Sequence, residues 1–495
     1  MCIGAVLAPG GAARTAAGPA LSFAAAKQYP IGNVPCSIAI GELNGDGKPD
    51  VVAGNCESTT VSVLLNRSDG AFEVRRDYAV GHKPGQVDIA DLNGDGKSDL
   101  LTANLDRTIS VLSNQGAGTF GPPVTYALRL GRPRDLLYDV LIADLNGDDK
   151  PDLVTETENT VSVMLNHGDG TFEPRRNYLS ASYLFDIALG DLNGDAKPEL
   201  VIVNSAIGDN DVLSVLLNGG DGSFETRRDY ETSGAERVAI GDANGDGKAD
   251  VATADSDTIS VLLNRGDGRL GPRREYCRSC PISEEANAIA ITDVNGDGKA
   301  DLVAYWDQGN SQTVSVLLNK GLGSFSPRRS YEISYPESPW LAIVDLNGDS
   351  KPDIAAPDIY YAGENGLSVL LNRGAGRFEP ALYYRFGGVA NAIASADLNG
   401  DGKQDLAAAL SGRRRTVAVR LNAPGLCNVQ LVGGMTVAAA KQRLGLANCR
   451  VGKVTRAHEN RVRRGRVISQ RPGFNAVLPG GAKVNLVVSS GKKRR

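Results

Sequence analysis

Through the first 420 residues the apolar positions come in short clusters bounded by glycine and acidic residues, and no repeat shows a helical period. One kind of cluster is typified by Ile38-Ala39-Ile40 and Val238-Ala239-Ile240, a second by Leu100-Leu101-Thr102-Ala103. A third reads T-[VI]-S-V-L-L-N at 60–66, 258–264 and 313–319, and close variants of it in the other copies. A glycine-rich turn follows, usually G-x-G-x-F. A fourth apolar–polar segment then carries Tyr six residues after the Phe, as in Phe72/Tyr78, Phe172/Tyr178, Phe224/Tyr230 and Phe325/Tyr331. Between the first and second clusters stands D-x-N-G-D-x-x-x-[DE], which occurs eight times, once with Glu at the start, at spacings of 49, 53, 47, 51, 51, 52 and 52 residues. Four short strands in about 50 residues, repeated in register, predict the blades of a β-propeller. A helical solenoid would need a helical period, and a β-helix much shorter coils.

Blade number and closure follow from the ends of the pattern. The eighth copy runs from Asp397 to Asn422 and stops at Ala423-Pro424-Gly425, without its Phe or fourth strand. Leu21-Ser22-Phe23 through Tyr29 has the missing Phe and Tyr at the same offset. Residues 21–29 are therefore predicted to supply the outer strand of the last blade, a clasp that removes the open ends of the ring. The expected fold is all-β, an eight-bladed propeller, with a seven-bladed ring plus one outlying repeat as the alternative.

The acidic phrase has the alternating oxygens of a calcium loop. Position one is Glu42, Asp91, Asp144, Asp191, Asp242, Asp293, Asp345 and Asp397. Position three is Asn44, Asn93, Asn146, Asn193, Asn244, Asn295, Asn347 and Asn399. Position five is Asp46, Asp95, Asp148, Asp195, Asp246, Asp297, Asp349 and Asp401. Position seven, placed to offer a backbone carbonyl, is Lys48, Lys97, Lys150, Lys197, Lys248, Lys299, Lys351 and Lys403. Position nine is Asp50, Asp99, Asp152, Glu199, Asp250, Asp301, Asp353 and Asp405. Calcium takes six to eight hard oxygens from a flexible loop, and these positions supply most of them. An isolated N-G-D-G reads as a hairpin turn; eight in phase, with acids at both outer positions, ask for a cation. Up to eight Ca²⁺ are expected. Glycine suits position six, so Asp149, Ala196 and Ser350 mark the third, fourth and seventh loops as unequal, and the fourth, ending in Glu199, as the weakest.

Charge sharpens this picture. The net −5 hides +14 in residues 423–495, which hold 15 Lys/Arg and one acid, Glu459, against −19 in residues 1–422. The eight loops with Asp149 account for −17 of that, and such crowding is repulsive without a neutralising cation. A uniform nucleic-acid binder is excluded, and no apolar run approaches the ~20 residues of a membrane span.

In these in-register motifs the chain over about 21–422 resembles the FG-GAP/VCBS family of integrin-α-type propellers. The resemblance implies blade-bound calcium and a scaffold for extracellular recognition of a glycan or protein. After a linker at 423–426, residues 427–491 change character. Val437, Ala440, Leu444 and Ala447 share one face of a helix ending near Cys449, and strand-like segments follow at 451–455, 466–470 and 483–489. Val432-Gly433-Gly434-Met435-Thr436, 465–470 and 484–489 closely resemble a PASTA domain, a family found on bacterial cell-wall enzymes and kinases. That likeness implies a small α+β fold and peptidoglycan recognition, and the positive charge suits anionic wall polymers. Residues 492–495 form a basic tail.

Cys36 and Cys56 flank the first hairpin, Cys427 and Cys449 bracket the start of the tail domain, and Cys277 and Cys280 form a C-x-x-C between blades. Three disulfides, with Cys2 left over, fit an exported protein. Residues 1–20 read as a degenerate or truncated export segment, with a brief apolar stretch and no basic start. Arg265-Gly266-Asp267 falls in a repeat turn, and the arginine pairs from Arg75-Arg76 to Arg328-Arg329 fall on outer strands, where edge protection is expected. The expected protein is a monomeric, secreted or wall-associated, non-catalytic calcium-binding scaffold. A carboxylate-based glycosidase or a calcium-stiffened spacer are the alternatives, since His82, His167 and His458 sit in no nucleophile motif. With only Trp306 and Trp340, sugar stacking has few platforms.

Overall fold

A computed structural model describes residues 20–492 except 68, 129–136, 158, 181–182, 206–210, 233, 256–257, 277–284, 308–311, 334–340, 361–363 and 413–414. The expected pair Cys277 and Cys280, the export segment through residue 19, Trp340 and residues 493–495 lie outside the described residues.

The described residues contain eight four-stranded antiparallel sheets, one per acidic loop. Blade 1 is Pro35–Gly41, Asp50–Asn55, Thr60–Leu64 and Arg76–Ala79. Blades 2 to 7 repeat the order, and blade 8 is composite. Its strands Val389–Ala396, Asp405–Ser411 and Thr416–Arg420 take Lys27–Pro30 as the outermost strand, in the register Lys27↔Val419 to Pro30↔Thr416. Phe23 adds a bridge to Asn422. The ring is closed by its own N-terminus, as the missing strand of the eighth repeat required.

The strand period of two explains the packing. In blade 1, Val51, Ala53 and Leu64 face blade 8, while Val52, Val61 and Val63 face blade 2. Both faces of each sheet are thus buried against neighbours, and the core is a series of wedges between blades. The Phe and Tyr signature proves to be an inter-blade contact. Each Tyr meets the Phe of the next blade edge to face, from Tyr29–Phe72 at 5.1 Å to Tyr331–Phe378 at 5.3 Å. Tyr384 of blade 7 closes on Phe23, 4.9 Å away. Where blade 5 has Leu270 for Phe, Tyr230 keeps only the accepted hydrogen bond from its backbone N–H.

The arginine pairs do more than blunt edges. Arg76 donates to the carbonyls of Ala117 and Gly118 in the next blade, and Arg228, Arg274 and Arg329 make the same kind of tie. Arg265-Gly266-Asp267 is a repeat turn, its Gly266 at φ 89° and its Asp267 accepting from the Arg269 N–H.

The tail folds as a helix, Val437–Leu446, capped by the Thr436 side chain, against the strands Arg450–Ala457, Lys483–Ser489 and Val467–Arg471. A short pair, Leu426–Asn428 with Val477–Pro479, was not legible in the sequence. Residues 423–426, expected as a linker, hold to the ring, because Ala423 N–H donates to the Ser22 carbonyl. One continuous core joins Leu21, Phe23, Tyr384 and Phe386 of the closure to Cys427, Val429, Val432, Ala440 and Leu444 of the tail domain. Asn428 brackets Phe23, accepting its N–H at 2.7 Å and donating to its carbonyl at 2.8 Å. Gln430 does the same for Tyr383.

Ring closure and domain docking therefore share one core. A chain ending at Asn422 is predicted to lose stability throughout the propeller, since Leu21 and Phe23 would each forfeit about 1.5–3 kcal/mol of burial. Calorimetry of the full chain should show a single transition. Two transitions, with the propeller's unchanged by truncation, would contradict this.

Candidate functional site

Every acidic loop joins the first strand of its blade to the second, so all eight emerge at one end of the ring. Within a loop the position-one carboxylate accepts the backbone N–H groups of positions four and six. In the second loop these are Gly94 and Gly96, both at 2.8 Å. That coil needs left-handed backbone at both positions, as at Gly94 (φ 72°) and Gly96 (φ 80°). Sequence reasoning recognised the requirement at position six and missed it at four. Asp149, Ala196 and Ser350 adopt the same conformation at φ 61°, 67° and 63°, at a steric cost glycine avoids. Position three accepts from position five, and position five from position seven, as in Asn93–Asp95 and Asp95–Lys97, both 2.9 Å.

Position nine is different. All eight of these carboxylates are buried. One oxygen accepts the N–H of position two in the same loop, as Asp301 does from Val294 at 3.1 Å. The other accepts the N–H of an asparagine at the end of the third strand, as Asp301 does from Asn319 at 2.7 Å. The Asn319 amide then donates to its own loop at Ala300 O (2.7 Å) and to the preceding blade at Ala243 O (2.8 Å). Asn66, Asn114, Asn166, Asn218, Asn264, Asn372 and Asn422 repeat the inter-blade bond at 2.5–2.9 Å, with Asn66 reaching Leu398 of blade 8. The last letter of T-V-S-V-L-L-N, which the sequence shows in every repeat, is thus the residue that carries one loop to the next.

Burial is the largest influence on the position-nine carboxyls and pushes Asp50, Asp250, Asp301 and Asp405 up to about 6 from 3.8, and it raises Asp353 well above the usual range too. The exposed acids behave otherwise, and the Lys97 ammonium holds Asp95 below its usual range. Position seven contributes this charge as well as its carbonyl, with Lys97 Nζ 2.7 Å and Lys403 Nζ 3.1 Å from the position-five carboxylate. In the fourth loop Lys197 instead donates to Gly220 O at 2.7 Å. Glu199 keeps the position-two contact, accepting from Leu192 N–H at 2.6 Å, and its other oxygen accepts from the position-three Asn193 amide at 2.7 Å.

The donor set, carboxylate, amide and carbonyl oxygen throughout, has the hard chemistry calcium takes. Position three reaches position nine through its amide nitrogen, with Asn295 Nδ2 donating to Asp301 Oδ1 at 3.3 Å. Among the described residues, however, no three acidic side chains gather where they could hold a metal. The position-five carboxylate faces its lysine, and releasing it costs little, because an exposed ion pair is worth about 0–1 kcal/mol.

The FG-GAP-like repeat matches this chain seven times, at 42–102, 91–155, 144–202, 191–253, 242–304, 293–356 and 356–408. The chain belongs to the FG-GAP-like repeat family. Six of the seven matches start at an acidic loop, and eight loops in series leave seven intervals between them. A PASTA domain matches residues 429–490. Among solved structures, the Dos1 propeller is 10% identical over 81% of this chain and 94% of that one, with a TM-score of 0.50. An Agrocybe aegerita lectin recognising non-reducing terminal N-acetylglucosamine is 21% identical over 63% and 80%, at 0.44. These likenesses concern the fold. The FG-GAP propeller carries two cysteine pairs at disulfide distance, Cys36–Cys56 in blade 1 and Cys427–Cys449 at the docked domain, with Cα separations of 5.9 and 4.9 Å. Trp306 is buried between blades 5 and 6, so it offers no stacking surface.

Positions five and nine separate cleanly by experiment. Asp301→Ala leaves two buried N–H groups without acceptors and should destabilise the protein by about 2–4 kcal/mol in chelator. Asp297→Ala, at the exposed fifth position, should cost less than about 0.5 kcal/mol there. Equal losses by denaturant titration would contradict the division of labour. Ala196→Gly should stabilise by about 1 kcal/mol through relief of the left-handed backbone.

Proposed function

We propose that this chain is an extracellular, non-catalytic recognition protein, in which calcium stiffens the FG-GAP ring and the PASTA domain carries it to the cell wall. The observation that carries the reading is the sign of the PASTA surface. Arg450, Lys453, Arg456, Arg461, Arg463, Arg464, Arg466, Arg471 and Lys483 are all exposed, and Glu459 is the domain's single acid. Such a surface attracts a polyanion at long range and weakens with salt. The disulfide pairs support an oxidising compartment. No helix among the described residues is long and apolar enough to cross a membrane.

In the ring, calcium would be held by the oxygens of positions one, three and five, the position-seven carbonyl and position nine. Its charge offsets the carboxylates clustered in each loop. The chain's own residues prepare this. The position-one carboxylate winds the coil, the buried ninth fixes it to the blade, and the paired lysine keeps the fifth in place until a cation takes over.

Proton competition gives the sign of the pH effect. A carboxyl raised to about 6 in the metal-free fold binds more protons folded than unfolded between pH 4 and 6. Its share of metal-free stability is present below about pH 4 and is lost as pH rises through about 6. Calcium must displace those protons, so the gain in Tm on adding calcium should be small at pH 5 and full by pH 7.5. A gain that is larger at pH 5 would contradict this.

Wall association is tested by co-sedimentation of the full chain with purified peptidoglycan, with and without its attached anionic polymers. The expected result is pelleting that falls with salt, persists in chelator, and is lost in Arg450→Glu/Lys453→Glu/Arg456→Glu. No pelleting, or pelleting indifferent to charge reversal, would overturn the assignment.

A further inference from the structure

Seven of the eight third strands bury an apolar residue two places before the terminal asparagine: Leu64, Leu112, Met164, Leu216, Leu262, Leu317 and Leu370. Blade 8 has Arg420 there, and it is 2% exposed. A guanidinium where the repeat needs only packing is costly unless something repays its desolvation.

The protein groups around it do so in part. Nε donates to the Arg385 carbonyl at 2.9 Å, Nη1 to the Ala24 carbonyl at 2.9 Å, and Nη2 to Arg385 O and to Asn475 Oδ1 at 3.2 Å. The guanidinium carbon lies 5.7 Å from the centre of the Phe386 ring. All of these partners are neutral, and no carboxylate among the described residues pairs with it. Five N–H donors meet four acceptor contacts, so one on Nη1 has no partner among them. Beside the guanidinium lies a cavity of about 260 Å³, where the N-terminal strand, blades 7 and 8 and the PASTA domain meet. Asn475 and Arg385 add polar groups to its lining beside Gly387, and Ala25, Ala26, Phe386 and Val477 give it an apolar side.

We propose that this junction cavity binds a small carboxylate, gripped by Arg420 and seated with its aliphatic part against Ala26, Phe386 and Val477. The remaining Nη1 N–H is a charge-assisted donor, which favours one oxygen of an anion over a neutral acceptor, and the cation has no carboxylate among the described residues to neutralise it. The volume admits a short acid or the terminal residue of a peptide. Because the site is built from four segments that meet only in the closed ring, occupancy also favours the docked arrangement.

The test is a thermal-shift titration of the full chain with propionate, with neutral propionamide, and with N-acetylalanine, at constant ionic strength. Propionate or N-acetylalanine should raise Tm saturably and propionamide should not. Whichever acid binds tighter tells a free short acid from a peptide terminus. Arg420→Leu restores the residue of the other blades, so it should fold and lose the response. Ala25→Phe, at an exposed position on the cavity's edge, keeps Arg420 and should weaken binding by about tenfold or more. Acid and amide acting alike, no saturable shift, or an undiminished response in Ala25→Phe would overturn the proposal, leaving Arg420 a tie between segments only.

Discussion

The buried carboxylate at position nine is the constraint on which the ring depends. It fixes the start of its own loop through position two and the end of the third strand through asparagine, and that asparagine fixes the preceding blade. Repeated eight times, the bonds form a closed belt at the loop end of the ring, from Asn66 on blade 8 round to Asn422 on blade 7. Each bond contributes only about 0.5–1.5 kcal/mol when made. Leaving one unmade in a buried belt costs more, so the loops report on the whole ring. A cation at any loop would act on the same carboxylate, which would make metal binding and blade packing two properties of one group.

Closure adds a second dependence. The N-terminal segment gives blade 8 its outer strand, gives blade 7 a ring for Tyr384, and gives the PASTA domain the Phe23 backbone that Asn428 brackets. The PASTA domain is therefore part of the clasp as well as a separate fold, and what it binds bears on the ring through a shared core. Opposite charge on the two modules does not drive this docking. The contact is made by Leu21, Phe23, Val429, Val432 and Leu444, and Arg443 joins it by lying over the neutral Tyr383 ring, 5.3 Å from its centre, rather than against a carboxylate.

Much of this was legible in the sequence, because a repeat turns local chemistry into a pattern. Strand period, the acidic phrase and the displaced Phe and Tyr were enough for eight blades and for the composite last one. The helix from Val437 and the strand at 483–489 followed from apolar spacing. What escaped was contact between distant residues. Nothing in T-V-S-V-L-L-N says that its asparagine reaches back about 70 residues to the loop before. Arg76 reads as an edge charge until the next blade's carbonyls are in view. The linker at 423–426 looked free because Pro and Gly mark turns equally well when the chain docks. Arg420 was visible as a departure from Leu, but its meaning needed the cavity beside it.

The measurement that bears most directly on the account is a calcium count. Equilibrium dialysis of the full, metal-stripped chain at pH 7.5, read with Tm before and after, should show several ions per chain, at most one per loop, and a higher Tm. A chain that binds no calcium, and melts identically in calcium and in chelator, would leave the acidic loops as a hydrogen-bonded belt alone and contradict the claim that the ring is a metal-stiffened scaffold.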